Sequence, residues 1–141
     1  MFFNNAIYIR ATINGHQRKC LIDTGSEASI VPLDIVQILK LQPSTRILLA
    51  ANGTEIRVCG EITIPLRIWR NCSITTKFMV SDYICETMLG MNGLREHRCH
   101  IRFGMGALFI GQKQIPLEKG NGASWCRRIV VSEDVMIAPR S

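Results

Sequence analysis

Residues 20–32 read Cys20-Leu21-Ile22-Asp23-Thr24-Gly25-Ser26-Glu27-Ala28-Ser29-Ile30-Val31-Pro32. Two apolar residues feed an acid, and an apolar pair follows a few positions later. Asp23 therefore sits on a tight loop that leaves a buried strand, an unusual place for a carboxylate. The plain alternative is an Asp-x-Gly turn in which the aspartate bonds its own backbone. The surrounding sequence decides between them.

Upstream, Ile7, Ile9, Ala11 and Ile13 alternate as a half-buried strand does. Asn14-Gly15 is a hairpin signal leading into the strand through Leu21-Ile22. Downstream, Leu33 to Leu41 places Ile35, Val36 and Leu39 on one helical face, with Pro32 at its start and Pro43 closing it, so a short helix is expected. Ile47-Leu48-Leu49-Ala50 and Glu55-Ile56-Arg57-Val58 flank a second hairpin turn at Asn52-Gly53. Strands are expected over 61–68, with Pro65 at an edge or bulge, and over 73–80. Thr87 to Leu94 reads as the start of a short helix that Gly93 weakens. Cys99 to Phe103 is extended, and 107–110 with 114–117 form a third hairpin around Gly111. From Glu118 the pattern is less regular, with strand-like pieces at 128–131 and 135–137. Many short strands, three hairpins and one or two small helices imply a mostly β barrel or sandwich.

Composition narrows the function classes. The chain has 141 residues, 47% hydrophobic and 20% charged, on the scale of one compact domain. No apolar run approaches a membrane span, and Met1-Phe2-Phe3-Asn4-Asn5 lacks a signal peptide's basic start, so a soluble intracellular protein is expected, with no membrane partner. The net charge of +6 is scattered, the nearest clusters being Arg67 with Arg70, Arg95 with Arg98 and Arg102, and Arg127-Arg128. None is interleaved with aromatics as an RNA-binding sheet requires, and direct nucleic-acid binding is not expected. Cys20, Cys59, Cys72, Cys85, Cys99 and Cys126 lie mostly in apolar, strand-like segments and read as buried free thiols. His97, Cys99 and His100 lack a second ligand pair at zinc spacing, so neither metal nor cofactor is expected.

Three segments together resemble the retropepsins, the aspartic proteases of retroviruses and LTR retrotransposons. The string 20–32 resembles their active-site loop. Leu49-Ala50-Ala51-Asn52-Gly53-Thr54-Glu55-Ile56 looks like their flap hairpin in its gypsy-type form. Met88-Leu89-Gly90-Met91-Asn92-Gly93-Leu94 resembles the family's second signature, two apolar residues and a glycine opening a short helix. All three come in the family's order. The resemblance implies a closed retropepsin-like acid-protease barrel over 1–117, with a flap hairpin and short helices. Residues 118–141 look like the connector that follows protease in retrotransposon polyproteins. Cys99 to Phe103 falls where retroviral relatives contribute a terminal strand to the dimer interface.

The chemistry explains why an acid belongs there. Hydrolysing a peptide without metal or covalent intermediate needs one carboxylate to take a proton from water and another to donate one to the carbonyl oxygen. Two carboxylates about 3 Å apart repel by roughly 5 kcal/mol at an effective dielectric of ~20, more than three pKa units. Only one ionises near neutral pH, and the shared proton supplies acid and base together. The chain has a single Asp-Thr-Gly, while Asp34, Asp82 and Asp134 lie in polar or helix-start contexts. The second carboxylate must come from another copy of Asp23 across a two-fold axis, so a symmetric homodimer is expected.

By resemblance, Thr24 ties the two loops together across the axis and Gly25 lets substrate backbone approach. Ala51, Asn52 and Gly53 would form the flap tip. Leu21, Ser26, Glu27, Ala28, Ile30 and Met88 would bind substrate, an extended polypeptide with apolar residues at the cleaved bond. The implied activity is endopeptidase cleavage of a retrotransposon or retrovirus-like polyprotein, in the cytoplasm or within virus-like particles. The competing reading is a retropepsin-like domain with an idle motif, kept for dimerisation or peptide binding. Two positions depart from the pattern: Met91 stands where retroviral enzymes commonly carry an arginine that bonds the loop, and Asn92 where many retrotransposon relatives carry aspartate.

Overall fold

A computed structural model describes residues 6–37, 40–50, 53–69, 72–120 and 129–130. The chain opens with β1 (Ile7–Ile13) and β2 (His16–Ile22), paired antiparallel from Tyr8↔Leu21 to Ile13↔His16. Asn14 (φ 50°) and Gly15 (φ 80°) both take left-handed backbone, which Asn-Gly accommodates and which matches the twist of the strands it joins. Then come β3 (Ser29–Pro32), β4 (Leu48–Ala50), β5 (Glu55–Ile56), β6 (Gly60–Trp69), β7 (Cys72–Ser81) and β8 (Thr87–Leu89). A six-residue helix, α1 (Met91–Glu96), precedes β9 (Cys99–Arg102), β10 (Ala107–Ile110) and β11 (Lys113–Pro116). Two short strands close the order, β12 (Glu118–Lys119) and β13 (Ile129–Val130).

The main sheet runs β12-β1-β2-β8-β3-β7-β6, and a further pairing of β1 with β6, Thr12↔Arg67, closes six of these strands into a barrel. The mostly β barrel expected from the strand pattern is therefore present. Because β12 pairs with β1 (Ile7↔Lys119), the sheet continues past residue 117. Pro65 sits in β6 opposite Thr75, and a register shift between Arg67 and Trp69 marks a bulge nearby. A separate three-stranded sheet has the order β11-β10-β9.

Side chains of alternate parity serve two apolar clusters. Ile9, Ala11, Ile13, Ile22, Val31 and Leu89 join Phe78 and Leu66 in the barrel core. Leu21, Ile30 and Met88 point the other way, into a smaller cluster with Tyr8, Ala28, Leu48, Ile56, Met79 and Ile84. This is the period-two rule of strands applied to β2, β3 and β8 at once.

Three expectations need correction. The helix over 33–41 is broken: a 3₁₀ turn, Leu33–Ile35, ends at Val36, which is already extended (φ −126°, ψ 163°), and a second turn bond runs from Lys40 N–H to Gln37 O at 3.0 Å; Leu39 lies outside the described residues. Thr87 to Leu89 is a strand, with the helix beginning only after Gly90, since these three residues are buried and pair with β2, and Met88 pairs with Ile30 of β3 as well. Not every cysteine is a free thiol: Cys20, Cys59, Cys72 and Cys99 are, but Cys85, exposed beyond the end of β7, is disulfide-bonded. Cys126 and residues 135–137 lie outside the described residues. No described helix is long and apolar enough to cross a membrane.

Candidate active site

The loop carrying Asp23 is held by β8, which threads between β2 and β3. β8 runs parallel to β2, with Leu21↔Met88 and Ile22↔Leu89, and antiparallel to β3, with Ile30↔Met88. Asp23 N–H donates to Leu89 O at 3.0 Å, so the acid is tied to β8 one residue past the end of β2. On the far side of the loop the amides of Met91 and Asn92 donate to Ser26 O (2.7 Å) and Glu27 O (2.9 Å). The first turn of α1 thus satisfies the carbonyls of the loop, and the loop satisfies amides that a helix start leaves without partners.

Gly90 makes this close packing achievable. A Cβ built there would fall on the carbonyl oxygen of Ala28 and within 2.8 Å of Ser26 O. The glycine of the second signature is thus a steric requirement of the first.

Asp23 itself is half-buried. The Gly25 N–H donates to its Oδ1 at 3.0 Å, and a Cβ at residue 25 would stand 3.4 Å from the same oxygen. Burial pushes the Asp23 carboxyl above its ordinary range, and the Gly25 hydrogen bond offsets part of that shift. A carboxyl so placed keeps its proton to higher pH than an exposed one, a property of acids that donate protons in catalysis. Thr24 and Gly25 are exposed at the loop apex.

The remaining residues singled out from the sequence fall into three groups. Leu21, Ile30 and Met88 form a cross-strand row, 7%, 0% and 1% exposed, under the β4–β5 hairpin, with Ala28 buried beside them. Leu48 and Ile56, opposite each other in that hairpin, pack into the same cluster. The row is therefore the floor beneath the flap-like hairpin rather than an open pocket wall. Gly53 lies in the hairpin's turn at φ +89°; Ala51 and Asn52 lie outside the described residues.

Ser26 and Glu27 have structural partners. Ser26 is fully buried, and its hydroxyl donates to Ala28 O at 2.8 Å. Glu27 accepts a bidentate fork from Arg95, at 2.7 and 3.2 Å. Arg95 stands one helical turn after Met91 on the same face of α1, so it reaches the loop from the next turn. An arginine four residues beyond the expected position is the signal that the sequence carries for this contact.

Asn92 is the centre of a second anchor. Its Oδ1 accepts from Ser29 Oγ (2.6 Å), and its Nδ2 donates to Lys77 O (2.9 Å) and Thr76 Oγ1 (3.4 Å). Ser29 Oγ in turn accepts from the Gly90 amide at 2.9 Å. Loop, helix and β7 are joined through one amide side chain that both donates and accepts, which a carboxylate could not do.

Beside the loop, Thr24, Met91, Leu94, Arg95, Arg98, Cys99, His100 and Ile101 line an open depression of about 550 Å³. β9 is the outer strand of its sheet there, and Phe103 (72% exposed) and Met105 follow it at the surface. His97 is engaged elsewhere, its Nε2 lying 3.0 Å from Thr75 O. Among the described residues no group of three His, Cys, Asp or Glu side chains is placed to hold a metal ion.

The crystal structure of the retroviral protease-like domain of Ddi1 from Leishmania major superposes with a TM-score of 0.69, at 21% identity, over 86% of this chain and all of that one. The fold is retropepsin-like. DNA damage-inducible protein 1 of Yarrowia lipolytica is 21% identical over 126 residues, 81% of this chain. The match spans 32% of that protein, so the chain corresponds to about a third of the length of its curated relative. No family model matches the sequence. Both named similarities are to Ddi1-type proteins, at an identity that speaks for the retropepsin-like fold and leaves the retrotransposon branch to the sequence motifs alone.

Proposed function

We propose that the chain is a homodimeric aspartic endopeptidase in which two Asp23 carboxylates share a proton and activate water. The observation that carries this reading is Asp23 itself: a half-buried carboxyl at the end of a bonded strand, accepting a hydrogen bond from the Gly25 N–H, with burial pushing it above its ordinary range. One such acid supplies half of an acid–base pair, and a second copy supplies the other half. Protons of such a dyad belong to the pair, so its pH profile has two limbs.

The dimer face proposed here is the one bearing Thr24, α1 and β9, where the open edge of β9 and exposed Phe103 and Met105 adjoin the loop. Substrate is an extended polypeptide with apolar side chains, lying between the loop and the β4–β5 hairpin. A polyprotein of retrotransposon type is the substrate the flap-like and connector-like sequences favour.

The test compares the chain with Asp23→Asn on apolar peptides from acidic to near-neutral pH, alongside its mass in solution. Cleavage that rises faster than linearly with protein concentration, vanishes in the variant and is blocked by a statine-type transition-state mimic is the expected result. Cleavage undiminished in the variant overturns the mechanism, and a monomer that cleaves overturns the shared dyad. A dimer that cuts nothing leaves a peptide-binding domain with an idle motif.

A further inference from the structure

Strand β4 has partners on both edges. β5 takes one, through Leu48↔Ile56 and Leu49↔Glu55; β13 takes the other, antiparallel, through Ile129↔Ala50 and Val130↔Leu49. The flap-like hairpin thus belongs to a three-stranded sheet whose third strand comes from the chain's far end. The hairpin rests on the site, since Leu48 and Ile56 are buried against the row of Leu21, Ile30 and Met88.

A two-residue strand of this kind contributes little beyond its main-chain pairing. Without it, the outer N–H and C=O groups of β4 would face water as an open sheet edge. An open edge accepts any extended segment through main-chain hydrogen bonds, with side chains adding selectivity. The residues that occupy it here are Ile129 and Val130, β-branched and apolar as suits a strand.

We propose that the outer edge of β4 is a docking edge for extended, β-branched apolar peptides, and that the chain's own Ile129–Val130 segment is its resident ligand in cis. The proposal rests on the reading of the site as a peptide cleft. A substrate that pairs with β4 must displace the segment. Gly120 N–H donates to Ala6 O at 3.0 Å, which fixes the chain to the barrel shortly before the segment begins. Tethering at that distance gives an effective concentration on the order of millimolar, so even a weak pairing competes with peptides supplied in trans.

The experiment uses the full chain and its Ile129→Pro/Val130→Pro variant, in which the tail can no longer serve as a ladder strand. The probe is a fluorescein-labelled peptide with the sequence of residues 127–132. The variant is expected to bind it at least about tenfold more tightly than the parent chain. Amide exchange at Leu49 and Ala50 is expected to speed up in the variant and to slow again when the peptide is added. For any peptide the chain hydrolyses, KM is expected to fall with kcat unchanged. Equal binding by both chains, binding by neither, or unchanged exchange at Leu49 and Ala50 overturns the proposal. If neither chain hydrolyses any peptide while the binding difference stands, the protease reading fails and the docking edge survives. Hydrolysis with equal KM and equal probe binding overturns the docking edge and leaves the protease reading in place.

Discussion

Arg95 grips Glu27 with both terminal nitrogens, Nη1 to Oε2 at 2.7 Å and Nη2 to Oε1 at 3.2 Å, and so ties α1 to the far end of the loop that carries Asp23. The hydrogen bonds from Arg95 hold the Glu27 carboxyl below its ordinary range against the opposing effect of burial, and the charges of Arg95 and Arg46 add to the lowering. In Arg95→Met, the Glu27 titration followed by NMR is expected to return to the ordinary carboxylate range. A depressed acid stabilises the fold above its unfolded pKa and loses that contribution as pH falls through its folded value. The pair is exposed and screened, so the change in melting temperature should be small. Peptide hydrolysis should fall by more than stability does, because the fork positions the loop.

Asp23 carries the opposite sign. Its folded pKa is raised, chiefly by burial, so the stability linked to it is fully present below the unfolded value and is lost as pH rises through the folded one. Asp23→Asn, which removes the charge, is expected to melt higher than the parent chain at pH 7. The two melting temperatures should converge as pH is lowered below the ordinary carboxylate range. Calorimetry from acidic to neutral pH, on a variant shown to be inactive, separates this stability gain from loss of catalysis.

Gly90→Ala should be among the most damaging single-methyl changes in the chain. The added carbon meets the Ala28 carbonyl and Ser26 O, which are backbone and cannot rotate away. A cost of about 1–3 kcal/mol is the usual range for overpacking, and a rigid backbone neighbour places this site at the upper end. Urea unfolding measures it. At Gly53, where a Cβ would meet nothing within 4 Å, the same substitution is opposed only by the positive φ and should cost less.

Asn92→Asp tests whether the amide is used as a donor. The carboxylate would keep the bond from Ser29 but face the Lys77 carbonyl without a proton to give. A loss of about 1 kcal/mol is expected near neutral pH, the usual net worth of one hydrogen bond, since water can reach the Lys77 carbonyl. Acidification should recover part of it, because a protonated carboxyl can donate. Equal denaturation midpoints for the two chains at pH 7 would remove Asn92 from the anchoring network.

Local chemistry accounts for a good part of this architecture. The Asn14-Gly15 turn, the alternation in β1 and the hairpin over 48–56 are legible in the sequence, and each forms where expected. The helix over 33–41 does not, because its apolar spacing is equally served by short turns interrupted by extended chain at Val36. Thr87-Met88-Leu89 reads as helical for a related reason: a short buried strand with partners on both sides has no polar face to reveal its period. Leu21, Ile30 and Met88 are far apart in sequence and form one row, which pairing alone could establish. The Arg95–Glu27 fork is hidden because the expected arginine position holds Met91, and the turn of helix that brings residue 95 to the loop is a three-dimensional equivalence. The strand pairing of residues 129–130 with β4 joins partners almost eighty positions apart, beyond any local pattern.

The parallel pairing of β2 with β8 has a temporal consequence. Residues 20–22 gain their second neighbour, on the side away from β1, only when residues 87–89 arrive, and the carbonyls of Ser26 and Glu27 gain their partners only with residues 91 and 92. Contacts so distant in sequence form late and slowly. A nascent chain that has emerged only as far as β7 therefore displays Asp23 on an unanchored loop, chemically an ordinary exposed acid. Whatever reactivity the motif possesses is withheld until the last third of the barrel has been made, and a prematurely truncated product is left inert.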